Sequence, residues 1–214
     1  MAHPTPTTFR PFVALLMLVK QWTKLLGGFS GDFARSVTTS SDGSIYLAGF
    51  STSNLDQQIS SGDTDAFISR YRSDGTKAWT KLLGGSYGDV AHSVTTSSDG
   101  SIYLAGSTTT NLDQQFNNGN YDSFISKYNS NGTKAWTRLL GGPGGDSANS
   151  ATTDSDGSIY LAGDNGGGGG DASISKYNSD GTKAWTKLLS GSNYDSAYSV
   201  TTASDGSIYL AGFT

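Results

Sequence analysis

Apolar and polar residues alternate along short segments of this chain, and turn-forming residues separate the segments. Within the unit Ala34–Leu83 the alternation predicts four strands, at Ser36–Thr39, Ile45–Ala48, Phe67–Tyr71 and Lys77–Leu83. A period of two residues is typical of strands, because successive side chains point to opposite faces of a sheet. The repeated units contain no sustained helical period, so the pattern predicts an all-β protein.

Two tight turns connect these strands in pairs. Ser41–Ser44 reads Ser-Asp-Gly-Ser and separates the first two strands, and Ser73–Thr76 reads Ser-Asp-Gly-Thr and separates the last two. An Asp-Gly pair favours a hairpin, because it tolerates the positive φ angles that tight turns require. We therefore expect each unit to be a four-stranded antiparallel sheet made of two hairpins.

The same unit recurs along the chain. Nine residues, Ser-Asp-Gly-Ser-Ile-Tyr-Leu-Ala-Gly, occur four times without change, at Ser41–Gly49, Ser98–Gly106, Ser155–Gly163 and Ser204–Gly212. Four tryptophans follow the same period, at spacings of 57, 57 and 49 residues: Trp22, Trp79, Trp136 and Trp185. Four-stranded repeats of this length predict a β-propeller, in which we expect the tryptophans to pack between blades. A β-solenoid is the alternative, but its coils are usually much shorter.

The copies do not make a whole number of blades. Complete units are Ala34–Leu83, Ala91–Leu140 and Ala148–Leu189, with an outer strand around Trp22 before them and an inner hairpin to Thr214 after them. The predicted fold is a β-propeller of four-stranded antiparallel blades, with about three complete blades plus two half-blade fragments. We favour a fragment of a larger propeller over a closed four-bladed ring. Two chains forming a seven-bladed homodimer is a further alternative, because an open sheet edge can pair with a partner.

A longer pattern runs through every unit: Gly-Gly-x-x-x-Asp-x-x-x-Ser-Val-x-x-x-x-Asp-Gly-x-Ile-Tyr-Leu-Ala-Gly, followed by Asp-x-Phe-Ile-Ser-x-Tyr-x-x-x-Gly-Thr-Lys-x-Trp. This pattern resembles the bacterial SBBP, or beta-propeller repeat, family over Gln21 to Thr214. The resemblance implies an extracellular or cell-surface propeller without a uniform enzymatic activity. Tyr128–Trp136 is also similar to the tryptophan-docking motif of quinoprotein propellers, which implies blade packing rather than quinone chemistry.

Residues 1–20 form an atypical N-terminal tail, and residues 21–214 form the predicted propeller domain. The tail contains the apolar run Pro11–Val19, which is shorter than the roughly 20 residues needed to span a bilayer. Either a signal-peptide core or a truncated or artificial start explains it, although no small-x-small cleavage site precedes Lys20.

Charge and composition limit the classes of partner that we expect for this protein. The formal net charge is −4 and charged residues make up only 15%, so we expect neither nucleic-acid binding nor a basic membrane-docking surface. The chain has no cysteine, which excludes disulfides and thiolate metal sites. Its wealth of small polar residues favours a secreted or cell-surface β-protein.

We expect function on the loops, because the repeated residues form the strands and turns of the scaffold. The loops after the second strand of the first two units carry amides and carboxylates that suit a glycan or a protein surface. The candidate residues are Asn54, Asp56, Gln57, Asn111, Asp113, Gln114 and Tyr121. The alternative is that these groups only bind the backbone of their own loops.

A second candidate is a set of aspartates before each inner strand, which a propeller would place at the mouth of its central channel. They are Asp32, Asp89, Asp146 and Asp195. Such carboxylates either attract a cation or accept hydrogen bonds from the local backbone. We predict no dedicated metal site and no cofactor.

Catalysis has little support in the sequence. There are only two histidines, and His92 is interpreted as a surface variant of the position that Arg35, Asn149 and Tyr198 occupy in other units. Nearly identical blades also present the same groups repeatedly, whereas an active site needs different groups at one point. We therefore expect a non-enzymatic scaffold that binds a protein or glycan, with a polysaccharide- or quinone-directed enzyme and a structural spacer as alternatives.

Overall fold

The computed structural model of the protein describes residues 22–166, 170–189, 191 and 193–214, and it contains fourteen strands in these ranges. The strands are β1 Asp32–Thr39, β2 Ile45–Ser51, β3 Asp65–Tyr71, β4 Lys77–Leu83, β5 Asp89–Thr96, β6 Ile102–Thr108, β7 Asp122–Tyr128, β8 Lys134–Leu140, β9 Ser147–Thr153, β10 Ile159–Asn165, β11 Asp171–Tyr177, β12 Lys183–Leu189, β13 Ser196–Thr202 and β14 Ile208–Phe213.

These strands form three blades and a half-blade. Each of the sheets β1–β4, β5–β8 and β9–β12 is antiparallel and follows the order of the chain, and β13 pairs with β14. The predicted all-β propeller architecture is confirmed, with three complete blades. In every blade the two Asx-Gly turns lie at one rim, and the loops between the second and third strands lie at the opposite rim, as does each connection between blades.

Each inner strand contains a β-bulge. The pairing of β1 with β2 skips Arg35, and the inner strands of the next blades skip the equivalent residues His92, Asn149 and Tyr198. Next to the first bulge the backbones approach so closely that a Cβ on Gly49 would lie 1.8 Å from the carbonyl oxygen of Phe33. Only glycine fits this approach, which explains why glycine ends every copy of the repeated nine residues.

Hydroxyl groups of the inner strands join neighbouring blades. Three serines accept a hydrogen bond from a backbone amide of the next inner strand at 3.0–3.2 Å: Ser36 from Val94, Ser93 from Ala151 and Ser150 from Val200. Thr96 Oγ1 donates in the opposite direction, to the carbonyl oxygen of Thr39 at 3.1 Å. The repeated Ser-x-Thr-Thr segment is therefore the connector between blades.

The hydrophobic core lies between the blades. Tyr46 and Ile68 of the first blade belong to one buried cluster with Val94, Leu104 and Phe124 of the second. The same arrangement recurs between the second and third blades and between the third blade and the half-blade. Neighbouring blades therefore bury their facing apolar surfaces against each other, as expected for repeat architectures.

Tryptophans pack on the outer turns of neighbouring blades. Trp79 Nε1 donates a hydrogen bond to the carbonyl oxygen of Ser130 in the second blade at 3.2 Å, and its ring packs over Gly132 in the same turn. Trp22 packs in the same way on the outer turn of the first blade, and Trp136 on that of the third. The turn glycine has a positive φ, and because it lacks a side chain it leaves room for the indole ring, which a Cβ there would crowd.

The inner strands form an arc. In the described part of the chain β1 packs against β5, β5 against β9 and β9 against β13, and the two ends of this series are not packed together. Val37 on the free face of β1 is 63% exposed. Its equivalent in the second blade, Val94, packs against the first blade and is 4% exposed. Trp185 packs within its own blade, on Tyr160. The predicted tail, including Pro11–Val19, lies outside the described residues.

Candidate functional site

The candidate site is the rim opposite the Asx-Gly turns, which we call the loop rim. It consists of the loops 52–64 and 109–121 within the first two blades and the connections 84–88 and 141–146 between blades. In the third blade the shorter loop 166–170 takes the place of the long one, and its residues 167–169 lie outside the described residues.

Both long loops are held by the same internal contacts. Asn54 Oδ1 accepts a hydrogen bond from the backbone amide of Ser60, and Asn111 Oδ1 accepts one from that of Asn117, both at 2.9 Å. The residue after each asparagine, Leu55 or Leu112, is fully buried beneath its loop. These contacts give the candidate residues Asn54 and Asn111 a structural role as well as an exposed amide.

The next residue fastens each loop to the outer strand of its own blade. Asp56 accepts hydrogen bonds from Lys77 Nζ and from Thr80 Oγ1, the latter at 2.6 Å. Burial opposes ionisation of Asp56, but these hydrogen bonds and the charge of Lys77 outweigh it and lower its pKa. Asp113 makes the equivalent contacts in the second blade. Both carboxylates are thus occupied by the protein itself.

The two loop tips share an unusual backbone conformation. Asp56 and Gln57 have φ angles of 56° and 64°, and Asp113 and Gln114 have φ angles of 47° and 64°. Residues with side chains adopt such angles only where surrounding contacts hold them. The exposed side chains of Gln57 and Gln114 therefore stand on fixed backbone positions.

Tyr121 does not join the other candidates of its loop. Its ring lies over Gly145 in the next connection, where a Cβ would be 2.4 Å from Tyr121 Cζ. Its carbonyl oxygen accepts a hydrogen bond from the backbone amide of Asp146 at 2.8 Å. Tyr121 therefore belongs to the junction between the second and third blades.

The four aspartates predicted at the channel mouth bind the backbone of their connections. Each accepts a hydrogen bond at 2.6–2.9 Å from the amide of the glycine four residues earlier: Asp32 from Gly28, Asp89 from Gly85, Asp146 from Gly142 and Asp195 from Gly191. Three of the four are fully buried, and Asp32 is partly buried. Burial raises the pKa of Asp89, and also that of its neighbour Asp65. The geometry gives these groups the role of shaping the connections.

The sequence interpreted His92 as a surface variant, but in the structure its side chain is partly buried. Arg35 Nη1 lies 3.2 Å from His92 Nδ1, and His92 Nε2 lies 3.3 Å from Ser107 Oγ. A guanidinium only donates hydrogen bonds, so the neutral imidazole carries its proton on Nε2. Burial, and then the charge of Arg35, lower the pKa of His92 from 6.5 to about 4.

The equivalent position of the third blade carries a different polar cluster. Asn149 Nδ2 donates hydrogen bonds to Asp164 Oδ1 at 3.2 Å and to the carbonyl oxygen of Ala197 at 3.1 Å. Ser196 also donates to Asp164. Burial, and then the hydrogen bond with Asp164, raise the pKa of Tyr194 to about 12. The bulge residues therefore link the first blade to the second through Arg35 and His92, and the third blade to the half-blade through Asn149.

The sequence placed Arg35, His92, Asn149 and Tyr198 at one equivalent position, but it did not show that this position is a bulge. Ser36–Gly49 and Ser93–Gly106 are identical, and the residues on either side of this segment differ in kind. Arg35 becomes His92 before it, and Phe50 becomes Ser107 after it. Comparing the copies with one another thus separates scaffold positions from positions that vary at the loop rim.

Among the described residues, no three His, Cys, Asp or Glu side chains are grouped so that they could hold a metal ion. Nor do the described residues include a helix with the length and apolar character needed to cross a membrane.

Comparisons with known proteins agree with this architecture. The SBBP family, described as a beta-propeller repeat, matches residues 21–56, 78–113 and 135–167. A second family, described as a domain of unknown function (DUF5122) beta-propeller, matches residues 97–134 and 155–183.

One curated relative is the regulatory protein FlaEY of Caulobacter vibrioides, which is 29% identical over 158 residues. The match covers 67% of this chain and 16% of FlaEY, so the chain spans about a sixth of the length of this relative. A solved protein of unknown function from Bacteroides caccae is similar over 83% of this chain and 52% of its own, with 13% identity and a TM-score of 0.48.

Each match begins beside a tryptophan and continues through the inner hairpin that follows it, so the second and third matches run from the outer strand of one blade into the next blade. The predicted resemblance is therefore confirmed: three stretches of this chain match the SBBP beta-propeller repeat.

Proposed function

We propose that this protein is a non-enzymatic recognition scaffold that binds a protein or a glycan through its loop rim, outside the cell or on its surface. The observation that carries this proposal is where the blades differ. The inner hairpins Ser36–Gly49 and Ser93–Gly106 are identical in sequence, whereas the loops that follow them differ in several exposed side chains. Ile59 and Phe116 occupy the same position of the two long loops and are 80% and 74% exposed. A large apolar side chain on each of two neighbouring loops suits a binding surface.

The rigidity of the loops supports the same proposal. Buried leucines, loop-closing asparagines and strand-bound aspartates hold both loops before any ligand arrives, so binding does not have to order them. A binding surface that is already ordered loses less entropy on association. Loops built on a fixed β-scaffold are also where recognition is usually located.

The proposed location rests on composition and on the family resemblance. Few charged residues and many small polar residues suit a secreted or cell-surface β-protein.

We also propose that two copies of this chain associate through their open blade faces. The free face of the first blade forms an apolar cavity of about 420 Å³ lined by Trp22, Leu25, Val37, Ile45 and Leu47, among others. In the second blade the equivalents of its strand residues are buried against a neighbouring blade. Because the equivalent face of the second blade packs on another blade, the free face of the first blade has a shape that suits a blade of a second chain.

The recognition proposal is tested by screening the whole chain on glycan and protein arrays, with Ile59→Ser and Phe116→Ser variants. We expect both substitutions to weaken the strongest signal, because each removes an exposed apolar contact from the loop rim. The matched control is Asn131→Asp on the opposite rim, which installs the residue found in the equivalent turns and leaves binding unchanged.

A ligand that binds the native protein must raise its melting temperature, which gives an independent readout of each array signal. Signals that survive both loop substitutions contradict the proposal. A chain that neither binds on the arrays nor shifts its melting temperature is a structural spacer, and turnover of a bound polysaccharide by the intact chain identifies an enzyme.

A further inference from the structure

A polar groove at the loop rim lies between the first and second blades. It has a volume of about 440 Å³ and is bounded by the connection 84–88 on one side and the loop 109–121 on the other. Its lining residues are Gly85, Ser86, Tyr87, Thr109, Thr110, Asn111, Asn117 and Gly119. This volume falls within the range of about 300–1,000 Å³ that small-molecule sites usually have.

The walls of the groove are fixed by hydrogen bonds beneath its surface. Thr109 Oγ1 accepts from the backbone amide of Gly88 at 2.9 Å and joins the two walls. Asn117 Nδ2 donates to the carbonyl oxygen of Thr108, and Asn117 Oδ1 accepts from the amide of Gly119, both at 2.9 Å. The groove is therefore shaped before a ligand binds.

Other polar groups of the lining remain available. Among the described residues, Asn111 Nδ2, Ser86 Oγ and the Tyr87 hydroxyl have no hydrogen-bond partner, although Asn111 Oδ1 is used within its loop. The Tyr87 side chain is 64% exposed. An exposed tyrosine offers a rigid apolar face with a polar tip, and an amide and hydroxyls beside it supply directional hydrogen bonds.

The lining contains no charged side chain. An acidic peptide, a phosphate or a cation would lack an ionic partner there, and desolvating its charge without one is costly. A ligand rich in hydroxyl groups and without charge matches both the hydrogen-bonding groups and the aromatic face.

We propose that the Tyr87 groove binds one or two residues of a neutral saccharide, with the sugar face on Tyr87 and hydroxyls on Asn111 and Ser86. This inference rests on the proposed recognition function and names its ligand. The corresponding position before the first blade carries Ser30, and the one before the third carries Gly144, so only this groove among the three combines the tyrosine with the long loop.

The test uses the whole chain and neutral oligosaccharides of glucose, mannose, galactose and N-acetylglucosamine, titrated while backbone amide shifts are followed by NMR. We expect at least one of them to shift the amides of the connection 84–88 and the loop 109–121. Tyr87→Ser, which installs the residue of the first blade, weakens that binding about tenfold, because stacking area is lost while the connection is kept. Binding is unchanged between about 50 mM and about 500 mM salt, since no ion pair contributes.

Asn111→Ala and Asn54→Ala form the matched pair of controls. Both remove the same loop-closing hydrogen bond, and only Asn111 lines the groove. We expect equal losses of melting temperature in the two variants and a loss of saccharide binding in Asn111→Ala alone.

The inference is overturned if no neutral sugar shifts these amides, if Tyr87→Ser binds as well as the unaltered chain, or if Asn54→Ala weakens binding equally. An array signal that depends on Ile59 and Phe116 but not on Tyr87 also overturns it and leaves the recognition function standing. Loss of both signals removes the two proposals together.

Discussion

The imidazole of His92 makes the stability of this protein depend on pH in a defined window. Its folded-state pKa is about 4, against 6.5 for an unperturbed histidine, with burial as the largest cause and Arg35 the next. As pH falls below 6.5 the unfolded chain binds a proton at His92 while the folded chain does not, so the free energy of unfolding falls until about pH 4. At about 1.4 kcal/mol per pH unit the loss is about 2 kcal/mol at pH 5 and about 3 kcal/mol in all.

The perturbation that isolates this effect is His92→Asn, because Asn149 occupies the same bulge position in the third blade. Urea unfolding of both proteins at a series of pH values from 7 to 4 gives the difference in unfolding free energy. We expect the variant to be less stable at pH 7, since the contacts with Arg35 and Ser107 are lost, and to lose less stability on acidification. The gap between the two proteins narrows by about 2 kcal/mol between pH 7 and pH 5.

Carboxylates do not obscure this comparison. The pKa of Asp42 is lowered to about 2 by hydrogen bonds from Ser40 and Ser44, so its contribution is lost only below about pH 4. Burial raises the pKa of Asp65 and Asp89, whose contributions therefore increase as pH falls, and both proteins contain them. Parallel stability curves for the two proteins, or an NMR titration of the His92 ring with a midpoint near 6.5, would refute the reasoning.

Three further outcomes follow from the packing. Asp56→Ala releases a loop from its outer strand and lowers the free energy of unfolding by about 1 kcal/mol, because the ion pair is partly exposed, and hydrogen exchange in residues 54–60 rises. Trp79→Ala costs about 3 kcal/mol in chemical denaturation, and Trp185→Ala costs less, since only the first indole packs on the turn of another blade; equal losses contradict this account. Val37→Lys abolishes concentration-dependent association, measured by light scattering, without lowering the melting temperature, because Val37 is exposed. Val94→Lys instead unfolds the chain, because Val94 is buried. Association that persists in Val37→Lys excludes this face as the contact.

The scaffold was predictable from the sequence because each local signal repeats. The alternation of apolar and polar residues predicts the strands, and the Asp-Gly pairs predict the hairpins. The four-stranded blades are therefore expected from the sequence alone, without their register. The bulges were not foreseen, because one unpaired residue leaves no trace in a short alternating segment. The inner strand β1 therefore begins at Asp32, earlier than the predicted Ser36, and the bulge places Arg35 outside the ladder.

The candidate site was only partly predictable. The long loops lie at the rim opposite the turns, as topology requires, but the sequence did not show which oxygen of Asp56 or Asn54 its own loop would use. Those partners come from strands and loop positions that folding brings together. Tyr87 was overlooked for a related reason, because its groove is formed by two loops that are 20 or more residues apart in the chain.

The serine and threonine bonds between inner strands have a consequence for how such a chain can change over time. Each unit carries the donor for one neighbour and the acceptor for the other within the same short segment. Any copy can therefore stand next to any other without new contacts having to arise. Gene duplication or deletion of whole units would change the number of blades in a single step. Recombination between the repeats would exchange the side chains of the loop rim while the strands and turns stay the same.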